Sequence, residues 1–141
     1  MKITFLGTGT SSGVPVIGCQ CNVCMSHNIK DNRLRSSVLI DKNNTRILID
    51  ATPDFREQMM ELSFRKIDGI VLTHEHYDHV GGLDDLRPFG KFGKIKIYAE
   101  ENVADALRNR MPYCFMKHNY GGVPNLEINE IDTSILPILP M

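Results

Sequence analysis

The sequence predicts a mixed α/β fold in which helices pack on a β-sheet. Short runs of β-branched and aromatic residues recur along the chain, and segments with apolar residues at helical spacing lie between them. The chain has 141 residues, 42% of them hydrophobic, which is enough for one globular domain. The sequence contains no internal repeat and no low-complexity segment that would divide it.

The predicted elements follow from local patterns. Strands are expected at residues 2–6, 37–40, 45–50, 69–72, 94–98 and 126–129, the second and third forming a hairpin. A first helix is expected with Thr52 as its cap and Pro53 at its first position. Two glycines at residues 81–82 allow a tight turn before a second helix at Leu83, and a third helix ends before Pro112.

Residues 73–82 place three imidazoles and a carboxylate directly after an apolar strand. If the chain is still extended there, His74 and His76 project from the same side and both reach one divalent ion. Asp78 and His79 then lie beyond the turn, where they can bind a second ion and take part in catalysis. These ligand types suit zinc, with manganese and iron as competitors, so we predict a two-metal site.

The spacing of these four ligands resembles the H-x-H-x-D-H signature of the metallo-β-lactamase superfamily. The glycine-rich loop at residues 7–15, the cysteine cluster at 18–24 and the run at 33–37 are similar to its PhnP-like phosphodiesterase branch. The resemblance implies an αββα sandwich of which this chain is the N-terminal half. Residues 1–141 would then be a single domain that is incomplete at its C-terminal end.

In the resembled family the second half supplies a further metal histidine, a bridging aspartate and a last histidine, and none of these has a motif match here. Residues 133–141 are apolar up to the last position, whereas termini are normally polar. His118 follows the motif in a loop, and we expect it to be solvated rather than a replacement ligand. A swapped homodimer would be another way to cover the open edge of the sheet.

Cys19, Cys21 and Cys24 have the compact spacing that wraps a tetrahedral zinc ion, so we expect a structural zinc. The alternative is that they are ordinary reduced cysteines. His27 is spaced to be a local fourth ligand, whereas the family resemblance suggests a histidine from the second half; the sequence leaves both open. Cys114, between two aromatic residues, is expected to be a buried small hydrophobe.

Asp50 ends a predicted strand upstream of the histidines. The superfamily commonly has an acid there that holds a metal histidine in place, and such a carboxylate fixes the imidazole tautomer; a surface aspartate beside a helix is the alternative. Arg33 and Arg35 match the oxygens of a substrate phosphate, with a solvated basic patch as the alternative. The loop Gly7-x-Gly9 is expected to turn tightly beside the metals.

Composition restricts partners and location. The net charge of -1 gives no global case for binding nucleic acid. No segment reaches the roughly 20 apolar residues of a membrane span, and the first residues do not form a signal peptide. Clustered cysteines that favour metal over disulfides suit a reducing compartment, so we expect a cytoplasmic protein with no membrane partner.

Three functions follow. The resemblance implies a metal-dependent phosphodiesterase that hydrolyses ribose cyclic phosphates or similar small phosphodiesters, by attack of a metal-bridging hydroxide. The glycine loop and histidine motif are also similar to those of tRNA 3′-processing endonucleases, although the near-neutral charge argues against a tRNA substrate. The third hypothesis is a catalytically incomplete metal-binding fragment, because part of the family's ligand set is absent.

Overall fold

The computed structural model describes residues 1–116 and 122–132. His118 and the apolar run at 133–141 lie outside these residues, so the predictions made for them stay predictions. Within the described residues, six strands form one mixed sheet in the order β1-β2-β3-β4-β5-β6. The strands are β1 (Lys2–Gly7), β2 (Ser37–Lys42), β3 (Thr45–Ile49), β4 (Gly69–Val71), β5 (Ile95–Ala99) and β6 (Leu126–Glu130).

The direction of the strands changes halfway across the sheet. The pairs β1–β2 and β2–β3 are antiparallel, and the hairpin places Asp41 opposite Arg46. The pairs β3–β4, β4–β5 and β5–β6 are parallel. The carboxyl ends of β3, β4 and β5 therefore meet at one edge of the sheet, where the histidine motif follows β4.

Three α-helices and a long 3₁₀ segment cover one face of the sheet. They are α1 (Phe55–Met60), α2 (Tyr77–Val80), α3 (Glu101–Arg110) and the 3₁₀ segment Leu83–Phe92. Their apolar side chains pack on alternate residues of the strands to form the core. Its members include Leu39, Leu48, Ile70, Ile97, Phe55, Leu83, Leu86, Val103 and Leu107. The sequence therefore predicted the mixed architecture and all six strands correctly.

One helix prediction needs correction, and a second predicted helix is present but of the 3₁₀ type. The first helix begins at Phe55, and Asp54 rather than Thr52 precedes it. The hydroxyl of Thr52 still accepts a hydrogen bond from the backbone N–H of Asp54 at 3.2 Å, as a capping side chain does, in the turn before the helix. The segment after Gly82 is a 3₁₀ helix with Pro88 inside it, and a proline there cannot supply the amide hydrogen that an α-helix requires.

The second face of the sheet is also apolar. Ile3 and Phe5 of β1 are 50% and 69% exposed. Half-buried apolar side chains from the next four strands continue this face, namely Val38, Ile40, Ile47, Ile49, Val71 and Tyr98. A sheet that is apolar on both faces is typical of one covered on both sides.

A charged cluster lies on the helix-covered face, at the end of the sheet opposite the motif. Arg46 is buried, with 5% of its surface exposed. Its guanidinium donates to Asp41 at 3.0 Å and to the carbonyl of Ser63 at 3.1 Å. Arg65 also pairs with Asp41. These contacts hold the pKa of Asp41 below its ordinary value, chiefly through the hydrogen bond from Arg46.

No helix among the described residues is long and apolar enough to cross a membrane.

Candidate metal centre

Strand β4 delivers the histidine motif to the sheet edge. Leu72 is still extended and donates its backbone N–H to the carbonyl of Tyr98 at 3.0 Å. The chain bends at Thr73, and the backbone of His76 is again in the extended region, with φ and ψ of -64° and 148°. Helix α2 begins at the next residue, so Asp78 and His79 lie on a helical turn while His74 and His76 precede it.

The structure brings the three imidazoles together. The ring centroids of His74 and His76 lie 4.7 Å apart, and those of His74 and His79 lie 3.9 Å apart. The Nε2 atom of His79 is 3.1 Å from a carboxylate oxygen of Asp78. All four side chains predicted as metal ligands are therefore close in space, although their roles as ligands remain predictions.

Asp50 connects the end of β3 to this cluster. Its side chain is 7% exposed, and one carboxylate oxygen lies 2.7 Å from Nδ1 of His79. The two oxygens also accept hydrogen bonds from the backbone N–H and the hydroxyl of Thr73, each at 2.8 Å. The contact that a histidine-positioning carboxylate requires is thus present, and Asp50 is not a solvated surface residue.

The backbone of Asp50 explains how it reaches the histidine. Its φ is 58°, in the left-handed region that aspartate tolerates better than most residues. Its N–H donates to the carbonyl of Val71 at 3.0 Å, and the next residue, Ala51, donates to the carbonyl of His79 at 2.8 Å. The chain after β3 is therefore joined to both β4 and α2.

The glycine pair after the motif has a different function from the predicted one. Neither residue needs a positive φ, because Gly81 is at -64° and Gly82 at -89°. A Cβ atom on Gly82 would lie 2.0 Å from the carbonyl oxygen of Thr52 and 2.6 Å from Cβ of Phe55. These glycines permit a close approach of two backbone segments, which holds α2 against the start of α1.

The donor types of this cluster, imidazole and carboxylate, suit divalent metal ions. When a tetrahedral zinc ion binds two ligand atoms at about 2.0–2.1 Å each, those two ligand atoms lie about 3.3 Å from each other. The 3.1 Å between His79 Nε2 and Asp78 is close to that value. Because Asp50 accepts from Nδ1 of His79, a neutral His79 has its lone pair on Nε2, the atom beside Asp78.

The cysteine loop forms a second candidate metal site. The sulfur atoms of Cys19, Cys21 and Cys24 all lie within 4.8 Å of one another. The backbone N–H of Cys24 and then the thiols of Cys19 and Cys24 lower the pKa of Cys21 to about 7 by hydrogen bonding. A thiolate is the form that binds metal, so this site is partly prepared at neutral pH.

Among the described residues, no histidine or carboxylate joins the three sulfur atoms of the cysteine site. His27 is exposed and does not belong to the three-sulfur group. Cys114 lies elsewhere, is 2% exposed, and burial raises the pKa of its thiol to about 11. It is therefore a buried residue of the core, as predicted.

The two arginines considered for phosphate binding differ in their environments. Arg35 donates to the carbonyl of Ser11 at 2.8 Å and to the carboxylate of Asp54 at 2.6 Å. It joins the glycine-rich loop to the start of α1, so these nitrogens are not free for a substrate. Arg33 is exposed, and among the described residues its side chain forms no ion pair. The predicted phosphate contact therefore depends on Arg33.

The glycine-rich loop lies against this arginine segment. A Cβ on Gly7 would be 2.0 Å from the carbonyl oxygen of Arg35, and one on Gly9 would be 2.5 Å from that of Arg33. The N–H of Gly9 donates to the carbonyl of Leu34 at 2.7 Å. The glycines are thus required for close packing of the loop.

Sequence reasoning missed two residues at the metal centre. Thr73 contacts Asp50, and its hydroxyl lies 3.0 Å from Nδ1 of His74. Arg110, at the end of α3, donates to the backbone carbonyl of Glu75 between the first two histidines. A hydroxyl directly before the motif was a signal available for Thr73, whereas nothing local indicated Arg110.

Comparison with known proteins places this chain in one superfamily. The sequence profile of the beta-lactamase superfamily domain matches residues 45–135. The chain is 48% identical over 132 residues to a Porphyromonas gingivalis (strain W83) protein named octanoyltransferase. That match covers 93% of this chain but 27% of the relative.

Two solved structures have a similar fold. A diphosphatase from the PhnP family is 41% identical, with a TM-score of 0.82 over 92% of this chain and 50% of that one. Zinc-bound PqqB from Methylobacterium extorquens is 24% identical, with a TM-score of 0.75 over 94% of this chain and 50% of that one. This chain therefore spans about half the length of these structures, and the second likeness concerns the fold alone.

Proposed function

Because this chain belongs to the metallo-β-lactamase superfamily and is PhnP-like in sequence and fold, we propose that the protein is a metal-dependent hydrolase of small phosphodiesters. The observation that supports this most is the convergence of three imidazoles and a carboxylate, with His79 Nε2 3.1 Å from Asp78. The proposed substrates are ribose cyclic phosphates or related small phosphodiesters. The 41% identical diphosphatase is consistent with chemistry at phosphorus.

In this proposal His74 and His76 hold a first divalent ion, and Asp78 and His79 hold a second. Bound ions of this kind supply a nucleophilic water at neutral pH and stabilise charge on the phosphoryl and leaving oxygens. Asp50 keeps the Nδ1 proton on His79 and orients its ring. Arg33, exposed beside the glycine-rich loop, offers a guanidinium to a phosphate oxygen.

The cysteine loop is proposed to bind a structural zinc ion. Its three sulfur atoms are already within 4.8 Å of one another without a metal, so little rearrangement is needed for a tetrahedral site. Its fourth ligand is proposed to come from outside the described residues. The acyl transfer in the name of the P. gingivalis relative is not proposed here, because most of that protein lies outside the match.

The test combines metal content with substrate selectivity in the full-length protein. Wild type is expected to contain zinc, manganese or iron in excess of the one ion of the cysteine site, and to hydrolyse bis(p-nitrophenyl) phosphate. His76→Ala should lose an ion and abolish turnover, whereas His27→Ala, in an exposed loop, should retain both. Turnover retained in His76→Ala would refute the assignment of the site.

Natural substrates then separate the alternatives. Faster cleavage of a ribose 2′,3′-cyclic phosphate or a similar diester than of a tRNA precursor supports the proposal. The reverse preference would move the assignment to an endonuclease, and preference for a diphosphate anhydride would replace the diester as substrate. Metal binding without turnover of any of these would support a metal-binding module instead.

A further inference from the structure

The hydroxyl of Thr73 lies between Asp50 and two of the histidines. Its oxygen is 2.8 Å from the carboxylate of Asp50 and 3.0 Å from Nδ1 of His74. It is 3.5 Å from Nδ1 of His79, which is itself 2.7 Å from Asp50. One carboxylate is thus connected to two imidazoles, to one directly and to the other through a hydroxyl.

The donors in this chain can be assigned from what each group is able to do. An ionised carboxylate only accepts hydrogen bonds, so at 2.8 Å the Thr73 hydroxyl must donate its hydrogen to Asp50. A hydroxyl has one hydrogen, and therefore the oxygen of Thr73 can only accept from His74. That acceptance requires a hydrogen on Nδ1 of His74.

The alternative assignment is unfavourable. If Thr73 donated to His74 instead, no hydrogen would lie between its oxygen and that of Asp50, and two acceptors would face each other at 2.8 Å. The backbone N–H of Thr73 also donates to the second carboxylate oxygen at 2.8 Å, which fixes the residue where its hydroxyl meets Asp50.

We infer that Thr73 is a positioning residue that transmits the influence of Asp50 to His74. The carboxylate holds His79 as the Nδ1–H tautomer directly and holds His74 as the same tautomer through the hydroxyl. Both neutral imidazoles then present the Nε2 lone pair to a metal ion. The inference rests on the proposed function for its purpose, but the hydrogen on Nδ1 of each ring requires neither metal nor substrate. Nε2 of His79 is 3.1 Å from Asp78, which favours a second hydrogen there until a metal ion binds.

The test uses two variants that differ in the hydroxyl. Thr73→Val keeps the shape of the side chain and removes the hydroxyl, whereas Thr73→Ser retains it; both preserve the backbone contact to Asp50. Long-range proton–nitrogen NMR spectra of the full chain, freed of metal and kept at mildly alkaline pH, identify the protonated nitrogen of each imidazole. His27, in an exposed loop, is an internal reference for an unconstrained ring.

The expected result is specific to one ring. Wild type and Thr73→Ser should show a hydrogen on Nδ1 of both His74 and His79. Thr73→Val should lose that preference at His74 and keep it at His79, which contacts Asp50 directly. A purely structural role for Thr73 would change both rings or neither.

Zinc titration provides the second readout. Removing a partner that orients a metal ligand weakens binding roughly 10- to 100-fold, and we expect the lower end for Thr73→Val because one of several ligands is affected. Thr73→Ser should restore affinity to within about threefold of wild type. An Nδ1–H signal at His74 that persists in Thr73→Val would overturn the inference, even in an active phosphodiesterase. Loss of the phosphodiesterase assignment would leave the tautomer result unchanged.

Discussion

Replacing Asp50 by asparagine gives a direct measure of what the buried carboxylate contributes. Asparagine has nearly the same shape and tolerates the left-handed backbone at φ 58°. Alanine would add strain at that φ and leave a hole. Asp50→Asn therefore changes the hydrogen-bonding capacity of one side chain and little else.

The expected loss of unfolding free energy in Asp50→Asn follows from three hydrogen bonds. Asp50 accepts from the N–H of Thr73, from its hydroxyl and from Nδ1 of His79. The amide oxygen of asparagine can keep the first, but its NH₂ group would face the other two donors. Bonds to charged groups contribute about 1.5–3 kcal/mol each, and rotation of the hydroxyl recovers part of the loss. We expect the metal-free protein to lose roughly 2–3 kcal/mol of unfolding free energy.

Metal binding should weaken as well. His79 can accept from the new NH₂ group only by moving its hydrogen to Nε2, the nitrogen that lies beside Asp78. Loss of such a supporting partner costs 10- to 100-fold in metal affinity, or about 1.4–2.7 kcal/mol. At a fixed saturating zinc concentration, the stabilisation by zinc should fall by the same amount.

Urea denaturation of metal-free and zinc-loaded protein measures both quantities, with Asn43→Asp as the control. Asn43 is exposed in the hairpin turn and has φ 53°, close to the φ of Asp50. The control therefore makes the reverse exchange, asparagine to aspartate, in the same backbone conformation. The control should change stability by less than about 0.5 kcal/mol. An equally small effect of Asp50→Asn, with unchanged zinc affinity, would refute the role given to this carboxylate.

Three further predictions concern other parts of the molecule. Gly82→Ala should lower the unfolding free energy by about 3 kcal/mol or more, because its Cβ would lie 2.0 Å from a carbonyl oxygen; Gly90→Ala, with no atom within 4 Å, is the urea-denaturation control and should change little. In the metal-free protein at pH 7, iodoacetamide should modify Cys21, whose pKa is about 7, well before buried Cys114, whose pKa is about 11; equal rates by mass spectrometry would contradict these environments. Because its arginine partners, chiefly Arg46, hold the pKa of Asp41 below its ordinary value, its contribution to the unfolding free energy should be complete above about pH 5 and lost as the pH falls through the lowered pKa. The stability difference between wild type and Asp41→Asn should therefore shrink in acid denaturation below about pH 4, and a constant difference would contradict this linkage.

The sequence predicted the strands well because their patterns are local. Short runs of β-branched and other apolar residues predicted β2, β3 and β5, and the structure confirms each within two residues at either end. The four histidine-motif ligands were also predicted to lie together, since six residues at a strand end have little freedom to separate. Their proximity in the structure agrees with that expectation.

The errors arose where a side chain has a partner far along the chain. Arg35 was predicted to contact a substrate phosphate, but its guanidinium and its backbone N–H both donate to the carboxylate of Asp54. Nothing near either residue in the sequence indicates this pair. Gly82 was assigned a turn for its flexibility, whereas the structure requires it for the approach of Thr52, 30 positions earlier.

The order of the strands bears on how the chain acquires its structure during synthesis. Every strand pairs with the one before it in sequence, so each newly made segment can add to an edge that already exists. The residues around the histidine motif follow the same order, because Asp50 precedes its hydrogen-bond partners Thr73 and His79 in the chain. We expect the ligand loop to become ordered against a preformed carboxylate, as domains that fold from the N-terminus do on the ribosome.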